Sequence, residues 1–159
     1  MMRKISYFGL LLPLVAYSAV AQQSTTTVHI AAAGSQNAVS GPAENFTGRV
    51  RVDPLFRADK DISVSAAYVT FEPGARSAWH THPAGQRLIV TSGLGLTQQE
   101  GQPVQTLRPG DVVSCPPGVK HWHGAAPGSA MTHLAVTGIV AGNSVQWMEK
   151  VTEEQYHAH

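Results

Sequence analysis

The sequence contains few of the features that mark several large classes of protein. Of its 159 residues only Cys115 is a cysteine, so an intramolecular disulfide is impossible. A single cysteine is more often a small buried residue than a nucleophile. Charged residues make up 13% of the chain, and 11 Lys and Arg nearly balance 10 Asp and Glu. No basic run could follow a phosphate backbone, so we expect no binding to nucleic acid.

Histidine, in contrast, is abundant, because the chain contains eight of them. It is the residue that titrates near neutral pH and most often binds metals. The length allows one ordinary domain, and the 43% of hydrophobic residues supply a core that disfavours disorder. The positions of the histidines are therefore the main question.

Residues 1–21 have the layout of a secretory signal peptide. Two basic residues, Arg3 and Lys4, precede an apolar stretch from Ile5 to Val20, and small residues around Ala21 offer a cleavage site. The stretch is short for a bilayer span of about 20 residues and contains a proline, so we expect no permanent membrane anchor. The sequence predicts cleavage near Ala21 and an exported protein, periplasmic or secreted.

The composition changes at residue 46. Residues 22–45 are rich in Gln, Ser, Thr, Ala and Gly and predict a flexible leader, with an edge strand at most, around the weak apolar patch Val28 to Ala33. Residues 46–159 form the predicted domain. Short apolar runs alternate there with turn signals built on Gly and Pro, which is typical of an all-β sandwich or barrel.

The apolar runs define the expected strands. They are Arg49 to Phe56, Ile62 to Phe71, Arg87 to Thr91, Asp111 to Cys115, Met131 to Val140 and Val145 to Met148. The absence of internal repeats predicts a single small antiparallel β-barrel rather than a tandem one. A helix is expected only at the end, where Thr152 can cap a short turn from Glu153 to Tyr156.

Two histidine pairs lie on segments that we expect to be extended. His80-Thr81-His82 comes shortly before Pro83, and His121-Trp122-His123 comes later in the chain. In a strand, residues two apart point to the same face, about 6.6 Å apart along the chain. The two imidazoles of a pair can therefore approach one metal ion. An isolated His-x-His pair is weak evidence, so the wider spacing carries the argument.

That spacing consists of two blocks, 16 residues apart. The first is Gly74, five residues, His80-Thr81-His82, three residues, Gln86, six residues, Gly93. The second is Gly110, five residues, Pro116-Pro117-Gly118, two residues, His121. The blocks resemble the two motifs of the cupin superfamily, whose members are small antiparallel β-barrels of the jelly-roll (double-stranded β-helix) type. Cupins hold a divalent metal near the barrel axis, and the resemblance implies the ligands His80, His82, Gln86 and His121.

The sequence departs from the usual cupin pattern at two positions. Gln86 stands where most cupins have Glu, and Ala125 stands where the second motif commonly ends in Asn. Because an amide oxygen carries no charge, three imidazoles and an amide leave the charge of a divalent ion uncompensated. We expect a stronger Lewis acid, and manganese, zinc, nickel or ferrous iron rather than ferric iron.

A longer stretch, Phe71 to Val136, is similar to small bacterial cupins that act as manganese-dependent hydroxynitrile lyases. The similarity includes Phe71-Glu72-Pro73-Gly74, Trp79 to Pro83, Lys120 to Pro127 and Met131 to Ala135, and it extends to Asp53 to Phe56 and Trp147 to Glu149. Those proteins share the His, His, Gln, His set, which makes Mn²⁺ the first expectation for the cofactor. Two further histidines near their metal correspond to His123 and His133. Cupins of one barrel are commonly dimers or larger, so the resemblance also implies a homo-oligomer, a dimer or a tetramer.

His123 and His133 are the candidate catalytic residues. His133 shares a face with Met131 and Ala135, and a neutral imidazole close to the metal without ligating it is placed as a general base needs. His123 shares a face with His121, so it is a spare ligand, a hydrogen-bond donor behind the ligands, or a base. The remaining histidines, His29, His157 and His159, lie in tails and receive no role.

The leading hypothesis for function is an enzyme, a metal-dependent carbon–carbon lyase acting on a cyanohydrin such as mandelonitrile. In this scheme the metal lowers the pKa of the substrate hydroxyl, and His133, assisted by His123, takes up the proton. Two alternatives stay open: a cupin dioxygenase acting on a phenolic small molecule, and a non-catalytic barrel that binds a small ligand through its metal.

Several other residues remain ambiguous in the sequence. Five apolar side chains belong either to the wall of a pocket or to the core: Ala67, Val69, Trp79, Leu88 and Trp122. Arg76 either holds a substrate anion or lies solvated in a turn.

Overall fold

The computed structural model describes residues 27–158. The predicted signal peptide, the first residues of the predicted leader and His159 lie outside this range. All the strands and the helix belong to the unit that begins at Ala31.

Residues 27–158 form thirteen β-strands and one helix. The first seven strands are β1 (Val39–Ser40), β2 (Phe46–Thr47), β3 (Val50–Phe56), β4 (Val64–Phe71), β5 (Arg76–Ser77), β6 (His80–Thr81) and β7 (Gln86–Gly93). The other six are β8 (Gly95–Gln99), β9 (Gln105–Leu107), β10 (Val112–Cys115), β11 (His121–Ala125), β12 (Met131–Gly138) and β13 (Gln146–Trp147). The helix α1 (Glu153–Tyr156) follows.

The strands make two antiparallel sheets. The first has the order β1-β3-β4-β12-β7-β10. In the second, β11 pairs with β5 and β6 along one edge and with β8 along the other, while β13, β2 and β9 extend the sheet outward. This is the curled arrangement of a jelly roll, so the predicted all-β class and single antiparallel barrel are confirmed.

Most expected strands form within one or two residues of their predicted limits. The longest pairing joins β12 to β4 and runs from Met131 opposite Phe71 to Gly138 opposite Val64. The leader contains an edge strand, but at a different place from the one expected. Val39–Ser40 pairs with β3, whereas the patch Val28 to Ala33 is exposed and forms no strand.

The main core lies between the inward faces of the sheets. Strand alternation is visible in β4, where Val69 and Phe71 are buried, Thr70 between them is half-buried, and Tyr68 before them is 38% exposed. Burying a side chain such as Phe71 stabilises the fold by about 1.5–3 kcal/mol. The buried members of this cluster are Val50, Val69, Phe71, Ala75, Leu88, Val90, Leu107, Ala125, Met131 and Ala135.

A second apolar cluster lies on the other face of β11. Trp122 falls between His121 and His123 in the strand, so its side chain points away from both. It packs with Trp79 and with Val151 and Tyr156 of the C-terminal segment. The two tryptophans that the sequence offered as pocket wall or core are therefore core.

The C-terminal helix forms as predicted and is held by Arg76. The Oγ1 atom of Thr152 accepts a hydrogen bond from Gln155 N, and the side chain of Gln155 accepts one from Thr152 N, which completes a capping box. The buried guanidinium of Arg76 donates to Glu153 at 2.7 Å and lies 4.4 Å from the ring centre of Tyr156. Arg76 thus neither lies solvated nor faces a substrate, because it fastens α1 to β5.

Helices elsewhere in residues 27–158 are absent, and α1 is too short to cross a membrane.

Cys115 lies at the end of β10, opposite Gln86 of β7. Its thiol is buried, and this burial raises its pKa to about 11. At pH 8 only about one thiol in a thousand is then ionised, and the thiolate is the reactive form. The sequence expectation of a buried, inert cysteine agrees with this environment.

We therefore expect Cys115 to resist an aromatic disulfide reagent at pH 8 as long as the protein is folded. Spectrophotometric titration should detect almost no free thiol in the native protein and one per chain after unfolding in denaturant. Labelling of the native protein at the rate of a small free thiol would contradict the burial.

Candidate active site

Three histidines meet because β6 and β11 are neighbours. His80 of β6 lies directly opposite His121 of β11, and His82 follows β6 by one residue, on the same face as His80. The ring centres are 4.3 Å apart for His80 and His121, 5.0 Å for His80 and His82, and 5.4 Å for His82 and His121. One potential ligand atom from each ring lies within 4.8 Å of the others, and all three residues are buried.

Each of these rings is oriented by a backbone carbonyl. The Nδ1 atoms lie 2.9 Å from Ala78 O for His80, 2.6 Å from Ser144 O for His82 and 2.9 Å from Val119 O for His121. A carbonyl oxygen can only accept a hydrogen bond, so Nδ1 carries the hydrogen and Nε2 keeps its lone pair. The buried Nε2 atoms of His82 and His121 have no hydrogen-bond partner within residues 27–158.

Gln86 adds an amide oxygen to this set. It begins β7, directly opposite Thr137 of β12, and its Nε2 donates to Thr137 Oγ1 at 3.0 Å. With its nitrogen held there, its Oε1 is buried and has no hydrogen-bond partner in the described part of the chain. The amide also acts on the neighbouring ring, because it raises the pKa of His82 against the larger lowering effect of burial.

The donor set fits a divalent metal ion. Buried acceptor atoms that lack a donor are costly and normally find a partner. Here two imidazole nitrogens of the three-histidine group, and the amide oxygen of Gln86 next to His82, are left as lone pairs, and such atoms are ligands of manganese, iron, nickel and zinc. Burial lowers the pKa of His82 and His121 and places that of His80 well below its usual value. The rings are therefore neutral at pH 7, as ligation requires.

His123 and His133 form a second, deeper pair. His123 is on β11, two residues after His121, and its ring centre lies 5.2 Å from that of His80. His133 of β12 is completely buried, and its Nε2 lies 3.2 Å from His123 Nδ1. Phe71 packs on both rings, at 5.6 Å and 5.7 Å between ring centres. His123 therefore stands between the three-histidine group and His133.

This pair is uncharged at neutral pH. Val69 and Val90 lie directly opposite His133 on the two neighbouring strands. Burial among such side chains lowers the pKa of His133 to about 4. Burial, together with the charge that His133 would carry, holds the pKa of His123 well below its usual value. Both rings are therefore neutral at pH 7, and the hydrogen bond at 3.2 Å links them so that each ring can stabilise a charge on the other.

The structure brings together all six residues that the sequence suggested for the site, and it adds two that sequence reasoning missed. Thr137 fixes the amide of Gln86. Ser77 Oγ accepts a hydrogen bond from the backbone N–H of His123 at 3.2 Å. Thr137 could have been found, because it shares the inward face of β12 with His133 and Ala135.

The tail histidines His29 and His157 are not among the residues that form this site. His29 is exposed. The ring of His157 lies 3.6 Å from Glu153 and against Tyr156, so it has contacts that the sequence did not suggest.

Comparison with known proteins agrees with this geometry. The cupin domain family matches residues 67–137. An (R)-mandelonitrile lyase from Granulicella tundricola is 61% identical over 123 residues, which cover 77% of this chain and 94% of that protein. The chain belongs to the cupin superfamily.

Solved structures place the fold of this cupin in the same superfamily. A cupin-like protein from Thermotoga maritima is 44% identical with a TM-score of 0.70, over 74% of this chain and 89% of that one. A cupin-2 domain protein from Rhodospirillum rubrum shares the fold at 21% identity and a TM-score of 0.60, over 75% of this chain and 77% of that one.

We expect the purified cupin to bind one divalent ion per chain, and His121→Ala to lose most of it, because the variant removes one of three convergent imidazoles. Elemental analysis after dialysis measures the content. Thermal unfolding is a second readout: Mn²⁺ at about 100 times its Kd should stabilise the parent by about 2.7 kcal/mol and the variant far less. His29→Ala, an exposed histidine outside the site, is the matched control. Equal metal content in His121→Ala and the parent would exclude this site.

Proposed function

We propose that this cupin is a metal-dependent lyase that cleaves and forms cyanohydrins of the mandelonitrile type. The observation that carries the proposal is the neutral pair His123 and His133, linked at 3.2 Å and standing beside the three-histidine group. The 61% identity to a protein named as an (R)-mandelonitrile lyase supports it. The fold alone does not support the proposal, because the same fold hosts many chemistries.

Four residues would hold the metal: His80, His82, Gln86 and His121. A divalent ion bound to them supplies a Lewis acid that polarises the substrate hydroxyl and lowers its pKa. Manganese is the first choice, which rests on the resemblance to manganese-dependent relatives. The four donors are all neutral, so they offer nothing that would offset the additional charge of ferric iron.

The reaction needs a group that removes one proton and returns it. Cleavage breaks the bond between the carbinol carbon and the nitrile carbon, and the electron pair of that bond leaves with cyanide. The hydroxyl oxygen becomes the carbonyl oxygen, and its proton must reach the departing cyanide. General bases in such positions are neutral side chains close to the reacting hydroxyl.

His133 and His123 fit that task as a unit. We assign His123, the ring nearer the three-histidine group, the role of proton acceptor and His133 that of its hydrogen-bond partner. One hydrogen already lies between His133 Nε2 and His123 Nδ1, so the incoming proton adds to His123 Nε2, and the hydrogen bond lets both rings share the added charge. Phe71, Val69 and Val90 keep water from these nitrogens, because they occupy the space around His133. The same proton then returns to cyanide, which leaves the pair neutral again.

We expect His133→Ala and His123→Ala each to lower the turnover of mandelonitrile by about 10²- to 10⁴-fold, the usual contribution of a general base. Release of benzaldehyde, followed by absorbance, measures the rate. Metal content should not change, since neither residue belongs to the ligand set, and His29→Ala should keep full activity. Metal-loaded protein that neither cleaves nor forms mandelonitrile above the background rate would refute the proposal.

Two other outcomes would support the remaining hypotheses. Consumption of oxygen with a phenolic compound would support a dioxygenase. Tight binding of a small ligand without turnover, with no effect of His133→Ala, would support a binding barrel.

We also propose that the chain is exported to the periplasm or secreted, and that its signal peptide is cleaved near Ala21. The support is the order of a basic start, an apolar stretch and small residues that ends at Ala21. Expression in a bacterium with two membranes should yield periplasmic protein whose N-terminal sequencing begins at Gln22. Replacing Ala19 and Ala21 by bulky residues should block the cleavage. Protein that stays in the cytoplasm with its apolar segment attached would contradict export.

A further inference from the structure

The two sheets leave a gap on one side of the barrel. In the described chain β10 pairs only with β7, and β9 only with β8, so these two strands form facing edges. The space between them is a cleft of about 470 Å³. Clefts that bind small molecules generally measure about 300–1,000 Å³, so this one is large enough to take part in substrate binding.

Half of the cleft lining follows from strand alternation, while Thr106, Val112 and Ser114, at the positions between, also border the cleft. The inward positions, two residues apart on each of three strands, are Thr97 and Gln99 on β8, Gln105 and Leu107 on β9, and Val113 and Cys115 on β10. At its inner end the cleft reaches His121. Cys115 lies directly opposite Gln86. The cleft therefore ends beside two of the four proposed metal ligands.

The lining is neutral apart from one residue, and it is more polar than apolar. Thr97, Gln99 and Gln105 present polar groups, whereas Leu107 and Val113 present apolar ones. Asp111 is the one charged residue among the lining residues in the described structure, and the lining contains no Lys or Arg. Such a surface suits an uncharged molecule that combines polar groups with an apolar substituent able to lie against Leu107 and Val113.

We propose that the cleft between β9 and β10 is the entrance to the active site and holds the organic substituent of the substrate, with Val113 limiting its size. This inference rests on the proposed function and names the class of substrate: neutral cyanohydrins that carry an aryl or a similarly large apolar group. The hydroxyl and nitrile groups lie inward, toward His121.

Val113 is well placed for this role. It is half-buried on β10 opposite Leu88 of β7, where it packs against the edge of the main core and also borders the cleft. A phenylalanine at this position is compatible with a strand, so the protein should still fold. The larger ring would extend into the cleft and occupy the space of an aryl substituent.

The kinetic test compares Val113→Phe with Val39→Phe, the same substitution at an exposed position of the edge strand β1. We expect Val113→Phe to lower kcat/KM for mandelonitrile by at least 10-fold, since mismatched groups in an apolar pocket change this ratio by about 10- to 200-fold. Acetone cyanohydrin, which has two methyl groups in place of the phenyl group and the carbinol hydrogen of mandelonitrile, should lose less than 3-fold. Val39→Phe should leave both substrates unchanged. Equal losses for both substrates, or none, would overturn the proposal.

A second measurement does not depend on activity. Benzaldehyde, the carbonyl half of mandelonitrile, is titrated into the Zn²⁺-loaded protein while methyl resonances are followed by NMR. Shifts at Leu107 and Val113 are expected, and the loss of the Leu107 shift in Val113→Phe would confirm the location. Shifts confined to Val69 and Leu88 would overturn the inference even if the protein is a lyase. Shifts at Leu107 and Val113 in a protein without lyase activity would leave the cleft standing and refute the proposed function.

Discussion

Three backbone carbonyl groups determine what the buried histidines can do. Because Ala78 O, Ser144 O and Val119 O each face an Nδ1 atom, each ring keeps its hydrogen on that side and turns its Nε2 lone pair toward the other two rings. Without these acceptors the rings could exchange tautomers or rotate. The entropy cost of ordering them would then reduce the free energy of metal binding. The pairing of β6 with β11 matters for the site mainly because it delivers His80 and His121 in this orientation.

Local periodicity in the sequence predicts much of the candidate site and the C-terminal helix. The two-residue spacing of His80 and His82, and of His121 and His123, is enough to place each pair on one face of a strand. The capping of α1 by Thr152 is equally local. The hydrogen-bond partners that orient the site residues are distant in the sequence. Ser144, whose carbonyl orients His82, is 62 residues from it, and Thr137 is 51 residues from Gln86. No pattern within a short window contains such partners.

Sequence reasoning missed strand β8 and the burial of Trp122 and Arg76 for one physical reason. The alternation of residues along a strand does not reveal what covers each of its two faces in the folded protein. The run Gly95 to Gln99 has polar residues at its inward positions Thr97 and Gln99, since those positions border the cleft, so it lacks the alternation that predicts a strand. Trp122 is apolar on the face opposite His121 because the C-terminal segment covers it. Arg76 is buried for the same reason, and its partner Glu153 is 77 residues away.

The candidate site is built almost entirely from neutral groups. The ligand candidates are imidazoles and an amide, the deeper pair is uncharged at pH 7, and no Lys or Arg lines the described part of the cleft. A bound divalent ion would then be the largest charge in the interior and would determine which oxygen carries negative charge. That arrangement favours a neutral substrate whose hydroxyl becomes anionic only during the reaction. A carboxylate in place of the Gln86 amide would offset part of this charge, so the neutral amide and the proposed cyanohydrin chemistry belong together.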